Sequence, residues 1–202
     1  TRSHFNPIQK RESSIVKLNV NNKEDDAIRL LHVSDLHFGP PYLKEEGEAA
    51  LRIAADLNPE SVIISGDLTQ RAKREQFVAA KQFLERLPKV PQLVIPGNHD
   101  VPLYRVYERV FRPLGLYKEI ISQELNPVLK IRGVVIAGLD STAPHSAISN
   151  GRIHKWQLDA CAQAFVDAHS ASARIGVAHP HFALPPAQLK AIIIPKDKRA
   201  TY

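Results

Sequence analysis

Four short phrases in this sequence combine carboxylate, imidazole and amide groups in a way that suits divalent metal ions. They are Ser34-Asp35-Leu36-His37, Gly66-Asp67-Leu68-Thr69, Gly97-Asn98-His99-Asp100 and Ala178-His179-Pro180-His181. Asp35 and His37 are two residues apart, and side chains on an extended chain alternate with a period of two, so both can point the same way and share one ion. Gly66 and Gly97 stand just before Asp67 and Asn98, where a missing Cβ permits a tight turn or a close backbone approach. Imidazole, carboxylate and amide oxygen without thiolate suit manganese, iron, zinc or nickel rather than a structural cysteine-rich zinc site. Two such ions about 3.5–4 Å apart acidify a bound water and neutralise phosphate charge. That chemistry is enough for phosphoester hydrolysis, and Asp67, the central acid, is the natural bridge between them.

Groups so far apart in sequence meet only if strand ends converge. Apolar runs at 28–33, 61–65 and 92–95 alternate with helical stretches at 43–57 and 70–87, which predicts βαβ units and a largely parallel sheet. The runs lack polar alternation, as expected of strands covered on both faces. In such a sheet the carboxyl ends of the strands line the ligand crevice, and each of the four phrases follows an apolar run. Downstream the pattern predicts a short helix from Pro102 to Arg112 and a hairpin of 128–131 with 134–139 around Arg132-Gly133. A helix over 155–169, with Trp156, Leu158, Ala162 and Phe165 near helical spacing, and a strand over 174–178 complete it. Residues 1–27 read as a polar lead-in with room for one edge strand near 15–20, residues 28–182 as the domain, and 183–202 as a C-terminal tail of unassigned structure.

The chain has 202 residues, 44% of them hydrophobic, and a formal charge of +6. That composition is globular and excludes wholesale disorder, collagen and a disulfide-stapled miniprotein. The single cysteine, Cys161, cannot form an internal disulfide, and no apolar run approaches a membrane span or a signal peptide. The expectation is a soluble, cytoplasmic chain without a membrane partner. Its positive charge favours anionic partners. Methionine is absent even at position 1.

Taken in order and spacing, Asp35-x-His37, Gly66-Asp67, Gly97-Asn98-His99-Asp100 and His179 resemble the calcineurin-like metallophosphoesterase superfamily. The phrase Leu31-His32-Val33-Ser34-Asp35-Leu36-His37-Phe38-Gly39 is especially similar to its bacterial class III cyclic nucleotide phosphodiesterase branch. The resemblance covers about residues 28–182. It implies an α/β sandwich of two mixed sheets flanked by helices, with Asp35, His37 and Asp67 on one metal ion and Asp67, Asn98 and His179 on the other. It further implies a metal-bridging hydroxide as nucleophile, and His99 beside a phosphate oxygen, oriented by Asp100 or Asp35. Residues 66–71 carry Gln70 where the family commonly has a second Asp, which leaves the ligand Asp67 intact. The family's final Gly-His-x-His motif is not found before Tyr202, so each ion would keep three protein ligands and the fold is expected to be C-terminally incomplete.

Bland readings stand beside these. Strand-end Asp and Asn often merely cap turns, and Asp140, with Ser141 and Thr142, is read that way. His32, His145 and His154 are lone histidines. His181 is the rival of His179, which follows its strand directly. Arg71, Lys73 and Arg74 read as a solvated helix start, with Arg71 the one to test. Cys161 reads as core.

The function expected is metal-dependent hydrolysis of a small phosphate ester, a phosphodiester such as a cyclic nucleotide ahead of a phosphomonoester. A non-catalytic metal- or phosphate-binding remnant is the rival. Nuclease-type processing of nucleic acid ranks below both, because no aromatic-rich basic stretch stands out.

Overall fold

The computed structural model describes residues 17–18, 27–145, 151–168 and 173–179. Most of the lead-in 1–27, residue 169, His181 and the tail 183–202 lie outside them. The first sheet has the order β1 (Lys17–Leu18), β2 (Ile28–Val33), β3 (Ser61–Ser65), β4 (Gln92–Ile95). Strand β1 is an antiparallel edge on β2, while β2, β3 and β4 run parallel, with Leu30 opposite Ser61 and Val62 opposite Gln92. Helices α1 (Lys44–Leu57) and α2 (Arg74–Arg86) make the two crossovers. After them come α3 (Val106–Phe111) and α4 (Gly115–Ile120). The second sheet joins the hairpin β5 (Val128–Ile131) and β6 (Val134–Leu139) to β7 (Ala173–Ala178), which lies parallel to β6 after α5 (Lys155–Val166).

Strict alternation of side chains along each strand splits the apolar residues between two cores. Leu31, Val62 and Ile64 face α1, α2 and α4, where Ala54, Phe77 and Tyr117 are buried with them. Leu30, Ile63, Leu93 and Ile95 face the other way and meet Val134, Ile136 and Val177 of the second sheet. Every residue of β3 and β6 is buried, which is why neither shows polar alternation. The sheets approach so closely that a Cβ on Gly138 would stand 2.6 Å from Ile95 Cγ2. Truncating a residue such as Ile136, fully enclosed in this seam, to Ala is expected to cost about 2–5 kcal/mol. The architecture is the layered α/β sandwich that the resemblance implies.

Three expectations need correction. Helix α2 begins at Arg74 rather than near Gln70, because the chain ahead of it is held in another conformation. Gln70 N–H donates to Phe38 O at 3.0 Å, and the Gln76 side-chain oxygen accepts from Arg71 N–H at 2.9 Å. The span between Arg112 and the hairpin, to which the pattern assigns no element, contains α4, whose Tyr117 is fully buried and donates its hydroxyl to Val94 O at 3.1 Å. The apolar face expected of α5 is not packed: Trp156 is 59% exposed, Leu158 is 44% exposed, and Cys161 is half-buried rather than core. A polar anchor docks this helix instead. Buried Gln157 donates to Asn126 Oδ1 and Asp140 O, both at 2.7 Å, and accepts from His154 N–H. No helix among the described residues is long and apolar enough to cross a membrane.

Candidate metal centre

Parallel pairing does not stop where β2 and β3 end. Asp35 N–H reaches Gly66 O at 3.3 Å, His37 N–H reaches Asp67 O at 2.9 Å and Phe38 N–H reaches Leu68 O at 2.8 Å. Phe38 and Thr69 form a further parallel bridge. The two ligand-bearing segments are thus zipped together beyond the sheet. Asp35, His37 and Asp67 all adopt positive φ, at 58°, 48° and 51°. Such left-handed turns are costly for residues with side chains and persist where the surroundings dictate them, typically at functional sites. Gly66, at φ 80°, allows the third approach: a Cβ there would lie 2.6 Å from His179 Cγ and 2.9 Å from Gly97 Cα. A Cβ on Gly97 would strike Asp67.

Around Asp67, whose carboxylate is buried, the remaining groups collect. Its Oδ1 accepts His99 N–H at 2.8 Å, and its Oδ2 lies 3.5 Å from His37 Nε2 and 3.2 Å from His179 Nε2. His37 Nε2 is also 3.5 Å from Asp35 Oδ1. Two sets each place their ligand atoms within 4.8 Å of one another: His37 with Asp67 and His99, and Asp35 with Asp67 and His179. Asp67 belongs to both. Asn98 opens the 3-10 turn Asn98–Asp100 next to them, half-buried and without a side-chain hydrogen bond among the described residues.

The donor set fits divalent ions. Ligand atoms about 2.1 Å from a common ion sit about 3.0–3.4 Å apart along the edges of a tetrahedron or octahedron, close to the 3.2–3.5 Å separations between these imidazole nitrogens and carboxylate oxygens. His37 Nδ1 is the buried side-chain polar atom without a hydrogen-bond partner among the described residues. Asp35 is held well below the usual carboxylate range by its hydrogen bond with His37, against the penalty of burial, with help from Ser34 and the charge of His179. It is therefore a full anion at neutral pH. Burial opposes protonation of His179, but its hydrogen bond to Asp67 and the charges of Asp67 and Asp35 outweigh that and raise it.

His99 Nδ1 lies 3.1 Å from Gln70 O. A carbonyl oxygen only accepts, so this nitrogen carries the proton and Nε2 is left available. The ring is oriented by that carbonyl rather than by Asp100 or Asp35, which corrects the expectation. Asp100 has another task. Its buried carboxylate accepts from Gly97 N–H, Leu68 N–H, Thr69 N–H and the Thr69 hydroxyl at 2.9–3.2 Å, tying the loop after β3 to the loop after β4. Burial, opposed by the Gly97 hydrogen bond and reinforced by the charge of Asp67, pushes this carboxyl up to about 6.

Sequence reasoning missed two supports. Buried Ser141 accepts His179 N–H at 3.0 Å, and Ser34 donates to Asp35 Oδ2 at 2.6 Å. Asp140 does form the expected turn, accepting Thr142 N–H at 2.9 Å. His32 is turned to Ser65 Oγ at 2.6 Å, outside the cluster.

A two-sheet α/β sandwich with acids and imidazoles gathered at its strand ends defines a metal-dependent phosphoesterase fold. The family model of the calcineurin-like phosphoesterases matches residues 28–185, and the chain belongs to that family. The glycerophosphodiester phosphodiesterase GpdQ of Enterobacter lignolyticus is 35% identical over 81 residues, 35% of this chain and 29% of that protein. A Danio rerio transmembrane protein with metallophosphoesterase domain is 31% identical over 75 residues, 37% of this chain and 17% of that protein. The matched stretches thus span less than a third of either curated relative.

Proposed function

We propose that this site hydrolyses phosphodiesters, cyclic nucleotides among them, with two divalent ions held by Asp35, His37, Asp67, Asn98 and His179. Bound there, the ions would acidify a water and neutralise phosphate charge. Asp67, common to both candidate sets, is the carboxylate that two ions would share. His99, with Nδ1 fixed on Gln70 O, turns Nε2 toward the site; with a second proton there the ring would donate to a phosphate oxygen or pass that Nε2 proton to the departing oxygen and return to the neutral form. Asp100 keeps Asp67 and His99 in register through the four donors it accepts. The observation that carries this reading is the gathering of Asp35 and three histidines around the buried Asp67 carboxylate, with His37 and His179 at metal-polyhedron distances from it. The match to a phosphodiesterase favours diesters over monoesters.

The test is hydrolysis of bis(p-nitrophenyl) phosphate while Mn²⁺ is titrated from none to millimolar, with bound metal counted in parallel. Saturable, metal-dependent turnover is expected, lost with bound metal in Asp67→Asn. Unchanged turnover and metal content in that variant would sink the assignment. Folded protein that binds metal and turns over no ester would establish the binding-module reading instead.

A further inference from the structure

The segment that leaves the metal site carries the most exposed aromatic surface among the described residues. Tyr104 is 76% exposed, Tyr107 74% and Phe111 67%, and α3 buries none of its residues. A six-residue helix with no packed face is not stable on its own account. What fixes this one is polar: Arg105 donates to Ala72 O at 2.7 Å, and Arg109 donates to Pro102 O at 3.3 Å. The rings are therefore held outward in place. Tyr107 and Phe111, one turn apart, touch at 4.9 Å between centroids, and the Arg71 guanidinium lies 5.7 Å over the Tyr104 ring. Arg71 follows Gln70, the residue that orients His99, so the row of rings begins at the rim of the site.

Arginines alternate with these rings, at Arg105 and Arg112 along the helix and Arg71 beside it. Arg71 and Arg112 are in no ion pair among the described residues, while Arg105 meets Glu108 at 2.8 Å. Aromatic faces interleaved with arginine form the surface on which single-stranded nucleic acid stacks, since every base has a π-face and every linkage a negative charge. A second copy of the chain would set arginines against arginines. A lipid surface would leave unexplained why the rings lead to a site for phosphodiesters. We infer that the α3 surface binds a single strand of nucleic acid, with bases on Tyr104, Tyr107 and Phe111 and phosphates on Arg71 and Arg112. The stretch 104–112 is the aromatic-rich basic segment that the sequence reading passed over. Binding stands independently of the proposed hydrolysis; delivery of a strand's diester to His99 rests on it.

The experiment is fluorescence anisotropy of a labelled 15-nucleotide oligothymidylate with the 202-residue chain in EDTA, so that turnover plays no part. Saturable binding is expected, with a log–log salt slope of about −1.4 for the two arginine contacts. Tyr104→Ala and the pair Tyr107→Ala/Phe111→Ala should each weaken it by about tenfold or more. Trp156→Ala, which removes another exposed ring, on α5, should leave it unchanged. All four positions are exposed, and unaltered melting curves exclude unfolding as the cause. No binding at 50 mM salt would overturn the proposal, as would equal loss in Trp156→Ala. So would a dimer, or adsorption to anionic vesicles, that the ring variants abolish while oligothymidylate binding persists. Oligothymidylate binding without any ester turnover would leave this inference standing and refute the proposed hydrolysis.

Discussion

Asp100→Asn separates a structural from a catalytic aspartate. The carboxylate accepts two donors on each oxygen: Thr69 N–H and Thr69 Oγ on Oδ1, and Leu68 N–H and Gly97 N–H on Oδ2. An amide of the same shape can serve one pair and must turn its NH2 toward the other. Facing Thr69, the NH2 leaves one buried donor unpaired, the Thr69 N–H, at about 1–3 kcal/mol, because the Thr69 hydroxyl can accept from the amide and still donate to His99 O at 3.2 Å. Part of that loss is offset because the variant no longer buries a charge beside Asp67, the circumstance that pushes Asp100 up to about 6. A net cost of about 2 kcal/mol follows, which for a domain of this size is about 4–8 °C in Tm. Calorimetry of the metal-free variant reads this directly, and equilibrium dialysis should show weaker metal binding because the loops carrying Asp67 and Asn98 are no longer tied. A variant that melts within 2 °C of the parent, binds metal as well, yet loses turnover over a hundredfold would refute the reasoning. It would restore Asp100 to the chemistry.

The remaining tests address the site from other sides. Gly66→Ala places a methyl group within 2.6 Å of His179 Cγ at a positive φ, so metal content should fall to near half or below with turnover lost; wild-type stoichiometry would contradict this. Ser141→Ala strips the acceptor from His179 N–H and should cost about 1 kcal/mol and about tenfold in metal affinity, read by melting and by titration with Mn²⁺. For metal-free protein the pH dependence has a definite sign. Asp100 and His179 are both raised above their ordinary values of 3.8 and 6.5, so the stability they confer is present at low pH. It is lost as pH rises, from about 4 to 6 for Asp100 and above 6.5 for His179. Melting temperature should therefore fall from pH 5 to 8 without metal, and added Mn²⁺ should raise it more at pH 8 than at pH 6, because the ion must displace the His179 proton. A metal-free Tm that climbs over this range would count against the shifts.

The strands were legible because burial on both faces leaves unbroken apolar runs such as 61–65 and 134–139, and the metal-capable groups follow the runs 28–33, 61–65, 92–95 and 174–178. What stayed hidden was decided by tertiary contacts. Helix α2 starts late because Gln76 reaches back to Arg71. Helix α5 docks through Gln157, a polar residue no hydrophobic pattern reveals. Helix α4 carries its signal in Leu114, Tyr117 and Ile121, three and four residues apart, but Pro113 and Gly115 mask it. Orientation of His99 depends on a backbone carbonyl, and carbonyls carry no sequence label. Residues 104–112 look like an ordinary amphipathic turn until the structure leaves its rings facing solvent.

One consequence of the layout concerns the chain as a polymer. Asp35, His37, Asp67, Asn98 and His99 all come from one continuous stretch and the first sheet, whereas His179 arrives from the second sheet, eighty residues later. An ion held by both Asp67 and His179 would close that long loop, as a covalent staple would, and would join β7 to the first half of the protein across the seam. Loading and docking of β7 are then one equilibrium: whatever loosens β7 weakens the ion's hold, and whatever removes the ion frees β7. Chelation should open the amides of β6 and β7 to hydrogen exchange well before those of β2 and β3, so the two halves of the sandwich respond unequally to one event at its edge.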